Sequence, residues 1–470
     1  MRRYDYLVQH GHPRFDEASR YPNDAPQECE AVQPAGLHSQ TVGDRGPVLL
    51  QDNVLHEKLG IFASEKILER RVHVKGFGAF GYFQAMHSMQ KYTKLGFLST
   101  PGQEVPVMVR FSFAVSEKGT PDTTRTARGF STKFYTQEGI FDLLCNHIPV
   151  LFVRDAIRFP DAIAAFEPSP VNGLPDPERL WGFVARSPEC MNFIVRVFSD
   201  MGTLKSFRHM RGFGVNTYVW KNAEGVRRYV KYHWLPMAGE QYIDRCEAVA
   251  LAGADPDVAG KDLFDTIAAG TPVQYELCVQ LMDPEDECAL PYDPLDCTKV
   301  WDERQYPLMP VGRLVLNRNP DDFMEQVEKA AFSPANLLEG AELSDDKLLQ
   351  GRANIYWDAQ RRRLGPGFRW IPVNHYQCFT PDTLVTSGAG RCVEGRLVRS
   401  GIPLQDDFAQ AGQFYHSLSR VWKDHLADNV ASGLAGASME TQRVVLEHLC
   451  RASPELGANV ARLLPAYARR

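Results

Sequence analysis

Apolar and polar positions alternate in short runs between about residues 72 and 235. "VPVMVRFSF", "GFSTKFYT", "IPVLFVRD" and "TYVWKNAEGVRRYVKYHWL" are such runs. A period of two puts every second side chain on one face, so each run predicts a strand. In the last, two alternating stretches flank "NAEG", a turn sequence that predicts a hairpin. Residues 272–283 and 310–316 add strands. Short strands with turn residues between them predict an antiparallel barrel or sandwich. Helical spacing replaces alternation over 177–199 and 256–268, and a further helix is expected near 343–357. In 406–470, Trp422, Leu426 and Val430 recur at i, i+4, which predicts three or four packed helices. The chain thus divides into a polar, proline-dotted arm (1–60), a strand-rich body (61–316), an irregular stretch (317–405) and a helical end (406–470). The arm must pack on something else to be ordered.

Composition narrows this pattern. The 470 residues are 44% hydrophobic, ample for a large core. The net charge is −6 and no run of five or more like charges occurs, which disfavours general nucleic-acid binding. None of the ten cysteines forms a C-x-x-C pair, so a zinc ribbon or thioredoxin-like site is not expected. No run of 18 apolar residues exists, the start "MRRYDYLVQHGHPRF" has no apolar segment, and "YARR" is no retention or peroxisomal tripeptide. A soluble, cytoplasmic protein in a reducing compartment is expected.

Candidate chemistry begins at "RRVHVKGFGAFGYF" (70–83), where Gly76, Gly78 and Gly81 have G-x-G-x-x-G spacing. A dinucleotide turn needs a helix after the glycines. Aromatic residues follow here instead, and they predict a strand. The glycines then serve close backbone approach, with His73 at the start of the strand. Far downstream, "LLQGRANIYWDAQRRRLG" (348–365) carries Arg352 and Tyr356 at i, i+4, on one helix face. A phenol held against a guanidinium is favoured as phenolate, an axial ligand known for haem iron. A surface tyrosine–arginine pair is the plainer alternative from spacing alone.

Taken with "VRFSFAVSEKGTPDTTRTARGFSTKFYT", "FDLLCNHIPVLFVRDAIRFPD" and "PLMPVGRLVLNRNP", these segments resemble the monofunctional haem catalases of small-subunit type, from about residue 40 to 465. The resemblance implies an α+β fold. Its parts are an antiparallel eight-stranded β-barrel carrying haem, an N-terminal arm, a wrapping segment with the proximal ligand helix, and a C-terminal helical domain. It implies His73 as distal acid–base, Asn146 as its partner and Ser112 as holder of the other ring nitrogen. Tyr356 would ligate the iron, with Arg352 keeping it ionised. Arg70, Arg110 and Arg363 would pair with the haem propionates, a task suited to bidentate, permanently charged donors. Phe159 would lie beside the cofactor. The cofactor is expected as haem of the b type and the substrate as hydrogen peroxide. A threaded arm implies a homo-oligomer, tetramer or dimer.

Several positions depart from the family pattern. Thr126 replaces a channel aspartate, which removes a charge from the peroxide channel. Ala114 replaces a constriction valine and Leu151 a distal phenylalanine; both are smaller, which implies a roomier distal pocket. Cys145 stands for glycine, Asn216 for a frequent histidine, and Ile355 for a smaller residue. Asn192, Met201, Leu235 and Glu303 replace the basic and histidine positions used for NADPH in some members. NADPH binding is therefore not expected. These departures motivate a second reading, a catalase-like haem oxidase acting on an organic molecule. Oxidative cyclisation in ergot-alkaloid synthesis and lipid hydroperoxide conversion are examples. A haem-binding protein without activity is a third, opposed by His73, Asn146, Arg352 and Tyr356. His10 and His12 are expected to be solvated, and His147 is given no role.

Overall fold

The computed structural model describes residues 39–43, 47–64, 66–375, 395, 397–402 and 406–468. His10, His12, most of the arm, Cys29, Cys378 and Cys392 lie outside the described residues. The chain divides into two compact units, one ending at Glu69 and the other beginning at Arg70. In the first, Asp52 accepts hydrogen bonds from the Gln40 amide (2.7 Å) and the Leu55 amide (3.0 Å). That caps helix α1, Asn53–Ser64.

The second unit is built on strands β1 (Gly76–Ala85), β2 (Glu104–Phe113), β3 (Arg128–Tyr135), β4 (Ile140–Asn146), β5 (Gly212–Phe213), β6 (Tyr218–Lys221), β7 (Arg227–Pro236), β8 (Val273–Met282), β9 (Met309–Arg318) and β10 (Ala341–Leu343). The order β7-β5-β4-β3-β2-β1-β9-β8 closes through β7–β8 into an antiparallel eight-stranded barrel. β6 and β10 extend it from β7. Closure leaves these eight strands no free edge.

Alternation decides what fills the barrel. On β2 the positions 105, 107, 109, 111 and 113 turn inward, as do Phe141, Leu143 and Cys145 on β4. Inside, Trp234 stacks on Phe130 (ring centroids 5.6 Å) and Phe83 meets Phe134 edge-on (5.4 Å). Met108, Arg110, Ser112, Leu144 and Asn146 are therefore left on the outer face.

Around the barrel lie helices α2 (Phe159–Phe166), α3 (Pro177–Arg186), α4 (Met191–Phe198), α5 (Arg245–Ala254), α6 (Val258–Ala268) and α7 (Lys347–Leu364). Four more form the helical end: α8 (Ala409–Ser417), α9 (Arg420–Leu434), α10 (Met439–Ala452) and α11 (Pro454–Ala468). They share a second core with α3, α4 and the segment 148–153.

Four sequence expectations change. "IPVLFVRD" is not a strand: Ile148, Val150 and Val153 are fully buried in the second core, and the run has no sheet partner. An apolar run alone reports burial, not a ladder. The window 177–199 is two helices, interrupted at Ser187–Cys190, where Pro188 cannot continue the first. The helix expected near 343–357 runs from Lys347 to Leu364. Asp346 caps its start, and Gly365 (φ +84°) follows its end. α5 was not anticipated.

Candidate active site

One row of the sheet carries the site. Gly76 pairs with Ser112, Ser112 with Gly129, Gly129 with Asn146, and Asn146 with Phe213. Side chains in one such row share a face and stand about 4.8 Å apart from strand to strand. Ser112 and Asn146 thus point outward, with the bare Gly129 between them. The His73 ring fills that gap. A Cβ on Gly129 would lie 2.9 Å from His73 Nδ1 and 2.6 Å from Ser112 Oγ. Only glycine leaves the ring its seat.

His73 is held on all sides. Its φ of +60° is a left-handed conformation that costs a non-glycine residue about 1–3 kcal/mol. Its amide donates to Ala114 O (3.0 Å), and Arg110 donates to His73 O and Val74 O, both at 3.0 Å. His73 Nδ1 and Ser112 Oγ are 3.0 Å apart. Burial, then the charges of Arg110, Arg352 and Arg70, push the imidazole pKa down to about 3. The ring is therefore neutral at physiological pH.

Gly76, Gly78 and Gly81 have separate tasks. A Cβ on Gly76 would lie 2.6 Å from Arg110 Cζ, so this glycine lets Arg110 reach back to His73. A Cβ on Gly78 would lie 2.6 Å from Val327, and one on Gly81 would collide with Val315 O, at a register shift between β1 and β9. Only Gly76 and Gly78 serve the site; Gly81 serves the barrel.

Tyr356 packs on the same outer face, in an apolar cluster with Met108, Leu144 and Val327. Arg352 Nη2 donates to Tyr356 Oη (3.3 Å), and Arg352 Nη1 donates to Asn216 Oδ1. Asn216 Nδ2 in turn donates to Asp346 (2.7 Å), whose other oxygen caps Leu348 and Leu349 of α7. The phenol is thus tied through Arg352 to the start of its own helix. The Tyr356 charge raises the Arg352 pKa against the effect of burial.

Arg70, Arg110 and Arg363 form one cluster. Arg70 Nη1 is 3.3 Å and Arg110 Nη2 3.6 Å from the Glu328 carboxylate. Arg363 donates to the carbonyls of Glu328 (2.5 Å) and Ala330 (3.0 Å). Burial, then the charge of Arg70, lowers the pKa of Arg110 and takes Arg363 to about 9. Three guanidiniums share one carboxylate, so two positive charges have no anionic partner among the described residues. A buried surplus of that size fits a ligand with two carboxylates. Together with a phenol beside a guanidinium, it fits haem with its two propionates.

Other expected positions fall elsewhere. Phe159 begins α2, stacks on Phe152 (5.6 Å) and shares the second core with Val72 and Ala114, both neighbours of His73. Leu151 is 6% exposed and packs into that core with Ala114, so the two fill space there. The Cys145 side chain lies inside the barrel, on the opposite face from Asn146, and burial raises its thiol pKa. Ile355 is exposed. His147 is structural: Nδ1 accepts from the Arg128 amide (2.8 Å), and Nε2 donates to Met201 O (2.7 Å). Sequence inspection missed Gly129, Glu328 and Asp346. Period-two counting across "ARGF" and the N-cap position before "KLLQGR" were the available signals for the first and last; Glu328 had none.

A closed antiparallel barrel with a buried histidine on its outer face, a tyrosine–arginine helix against that face and an arginine cluster beside it has a residue set that fits a haem-dependent oxidoreductase. The comparisons agree. The pattern of the catalase family matches residues 28–395, and that of the "catalase-related immune-responsive" family matches 402–464. Catalase-1 of Arabidopsis thaliana is 47% identical over 340 residues, 72% of this chain and 69% of its own length. Catalase isozyme A of Oryza sativa subsp. indica is 40% identical over 454 residues, 90% and 92% of the two chains. Catalase A from Saccharomyces cerevisiae superimposes with a TM-score of 0.86 at 33% identity, covering 91% of this chain and 96% of its own. A bacterial catalase gives 0.87 at 32% identity, covering 96% and 99%. The chain belongs to the catalase family.

Proposed function

We infer that the protein is a catalase, an oxidoreductase that converts two molecules of hydrogen peroxide into two of water and one of dioxygen. One observation carries the residue roles: a neutral His73 is seated over Gly129, one strand from Asn146, on the face against which Tyr356 packs.

Haem bound here supplies the redox chemistry, reducing one peroxide to water and oxidising a second to dioxygen. Tyr356 Oη would hold the iron, and Arg70, Arg110 and Arg363 would hold the propionates by charge-assisted hydrogen bonds. Ser112 occupies Nδ1 of His73, which leaves Nε2 for the substrate. There the neutral ring takes a proton from one peroxide oxygen and returns it to the oxygen that leaves as water. The Asn146 amide donates to the peroxide and orients it. The left-handed backbone of His73, fixed by Arg110 and Ala114, keeps Nε2 from turning away.

We further propose that the protein works without NADPH. Asn192 spends its amide on Thr298 O (2.9 Å), Gln410 (3.2 Å) and Arg196 (3.0 Å). Glu303 pairs with Arg211 (2.9 Å), and Met201 is buried. None of these positions offers a cation to a phosphate. Oxidation of an organic molecule rests on the sequence departures alone, such as Thr126, Ala114 and Leu151.

Purified protein, supplemented with haem, is expected to evolve dioxygen from peroxide. His73→Ala should retain the Soret band and lose roughly 10²–10⁴-fold in turnover, the usual size of an acid–base contribution. Tyr356→Phe should alter the ligand-sensitive visible bands. An unchanged spectrum in that variant would exclude tyrosinate ligation.

A further inference from the structure

Glu328 lies at the centre of the arginine cluster and has no part in the chemistry above. It ends a short π-helical turn, Met324–Glu328, and its side chain is 7% exposed. Its carboxylate reaches Arg70 and Arg110, and its main-chain carbonyl accepts from Arg70 Nη2 (2.8 Å) and Arg363 Nη1 (2.5 Å). One residue therefore touches all three guanidiniums. Its place is fixed from both sides. Gly78 makes room for its neighbour Val327. Asn374 accepts from the Ala331 amide (2.6 Å) and donates to Lys329 O (2.8 Å).

Buried like charges repel strongly, because little water screens them. The electrostatic role of Glu328 follows from counting. With it, the cluster carries a surplus of two positive charges, which two propionates cancel. Without its charge the surplus is three, and a bound haem would lie beside one uncompensated cation. A nearby positive charge favours the more reduced, less positive state of an iron centre.

We propose that Glu328 is a positioning residue of the haem site, gathering Arg70, Arg110 and Arg363 and matching their surplus charge to a dicarboxylate. Through that charge it keeps the ferric–ferrous potential of the haem low. The proposal rests on the haem reading above.

The test is potentiometric titration of the haem-loaded full chain, followed in the Soret region. Glu328→Gln should shift the midpoint potential to more positive values, and Glu328→Asp should stay near the unsubstituted protein. The double variant Glu328→Gln/Arg363→Gln restores a surplus of two. Its potential should return toward the starting value. Where Glu328→Gln binds haem poorly, Glu328→Asp, which keeps the charge, should hold it better. A Glu328→Gln potential equal to that of the unsubstituted protein would overturn the proposal. So would a double variant displaced further from the start, or a Glu328→Asp variant holding haem no better than a poorly binding Glu328→Gln. Failure of the haem reading is distinguishable, because the unsubstituted protein would then show no Soret band after haem supplementation.

Discussion

At the scale of single residues, the site depends on an atom that is absent. Asn146 and Ser112 stand two strands apart in one row, and the ring between them belongs to a residue outside the row. Gly129 decides whether that ring can sit there. Gly129→Ala places a methyl group 2.6 Å from Ser112 Oγ and 2.9 Å from the His73 ring, both closer than real contacts allow. The arginine cluster and Tyr356 are untouched by this change. Haem should therefore remain bound, with its Soret band intact, while dioxygen evolution falls by roughly 10²-fold or more as the proton-transfer group is displaced. Normal turnover in this variant would show that the seat of His73 is not what positions it. The candidate residues themselves were legible in the sequence, because His73, Asn146, Arg352 and Tyr356 lie in long segments that resemble catalases. Their supports were not. Gly129 matters through residues 56 and 17 positions away, and Glu328 through partners as far as 258, which no local pattern reports.

At the scale of elements, strands with clean alternation were readable and their partners were not. β2, β3, β8 and the β6–β7 hairpin fall where the pattern put them, because larger apolar side chains that fill the barrel alternate along each with polar or smaller ones on the other face. The run at 148–153 failed because its apolar residues are nearly continuous, without alternation, and pack into the second core. Helix α7 failed at both ends for a different reason. Its central sequence is polar, so hydrophobic period marks neither boundary, whereas the cap and Gly365 do. The Asp346 cap joins two functions: it accepts from two amides of α7 and fixes Asn216, and through it Arg352. Asp346→Ala should cost about 1–2 kcal/mol as a lost N-cap, read by urea unfolding. It should also change the tyrosine-sensitive visible bands, because Arg352 loses its far support. Asp346→Asn keeps an acceptor for the α7 amides and should recover most of the stability. If the alanine variant lost stability with an unchanged spectrum, the cap would be structural only.

At the scale of the whole molecule, buried ionisable groups set the response to acid. His147 and His233 are almost wholly buried and, like His73, have pKa values pushed down to about 3, in each case by burial and then by a nearby arginine. Their unfolded forms take up protons near pH 6.5, so between about 6.5 and 3 the unfolded state binds more protons than the folded one. Stability must fall as pH falls through that window. By pH 5.5 each fully buried histidine accounts for about 1.4 kcal/mol of lost stability. Asp346 acts in the opposite sense. Burial raises its pKa to about 6, so the folded state binds more protons than the unfolded state between about 6 and 4, and acid relieves its cost there. The two effects separate by pH. Between 7.5 and 6 the histidines titrate almost alone, and below 6 the carboxylate offsets part of their loss. Thermal unfolding at half-unit steps should therefore show the midpoint falling from pH 7.5 toward 6 and then falling more steeply, since one carboxylate offsets only part of the loss from three histidines. A midpoint that rises from 7.5 to 6 would mean that these histidines are charged in the folded protein. In that case His73 could not be the neutral base that the peroxide reaction needs.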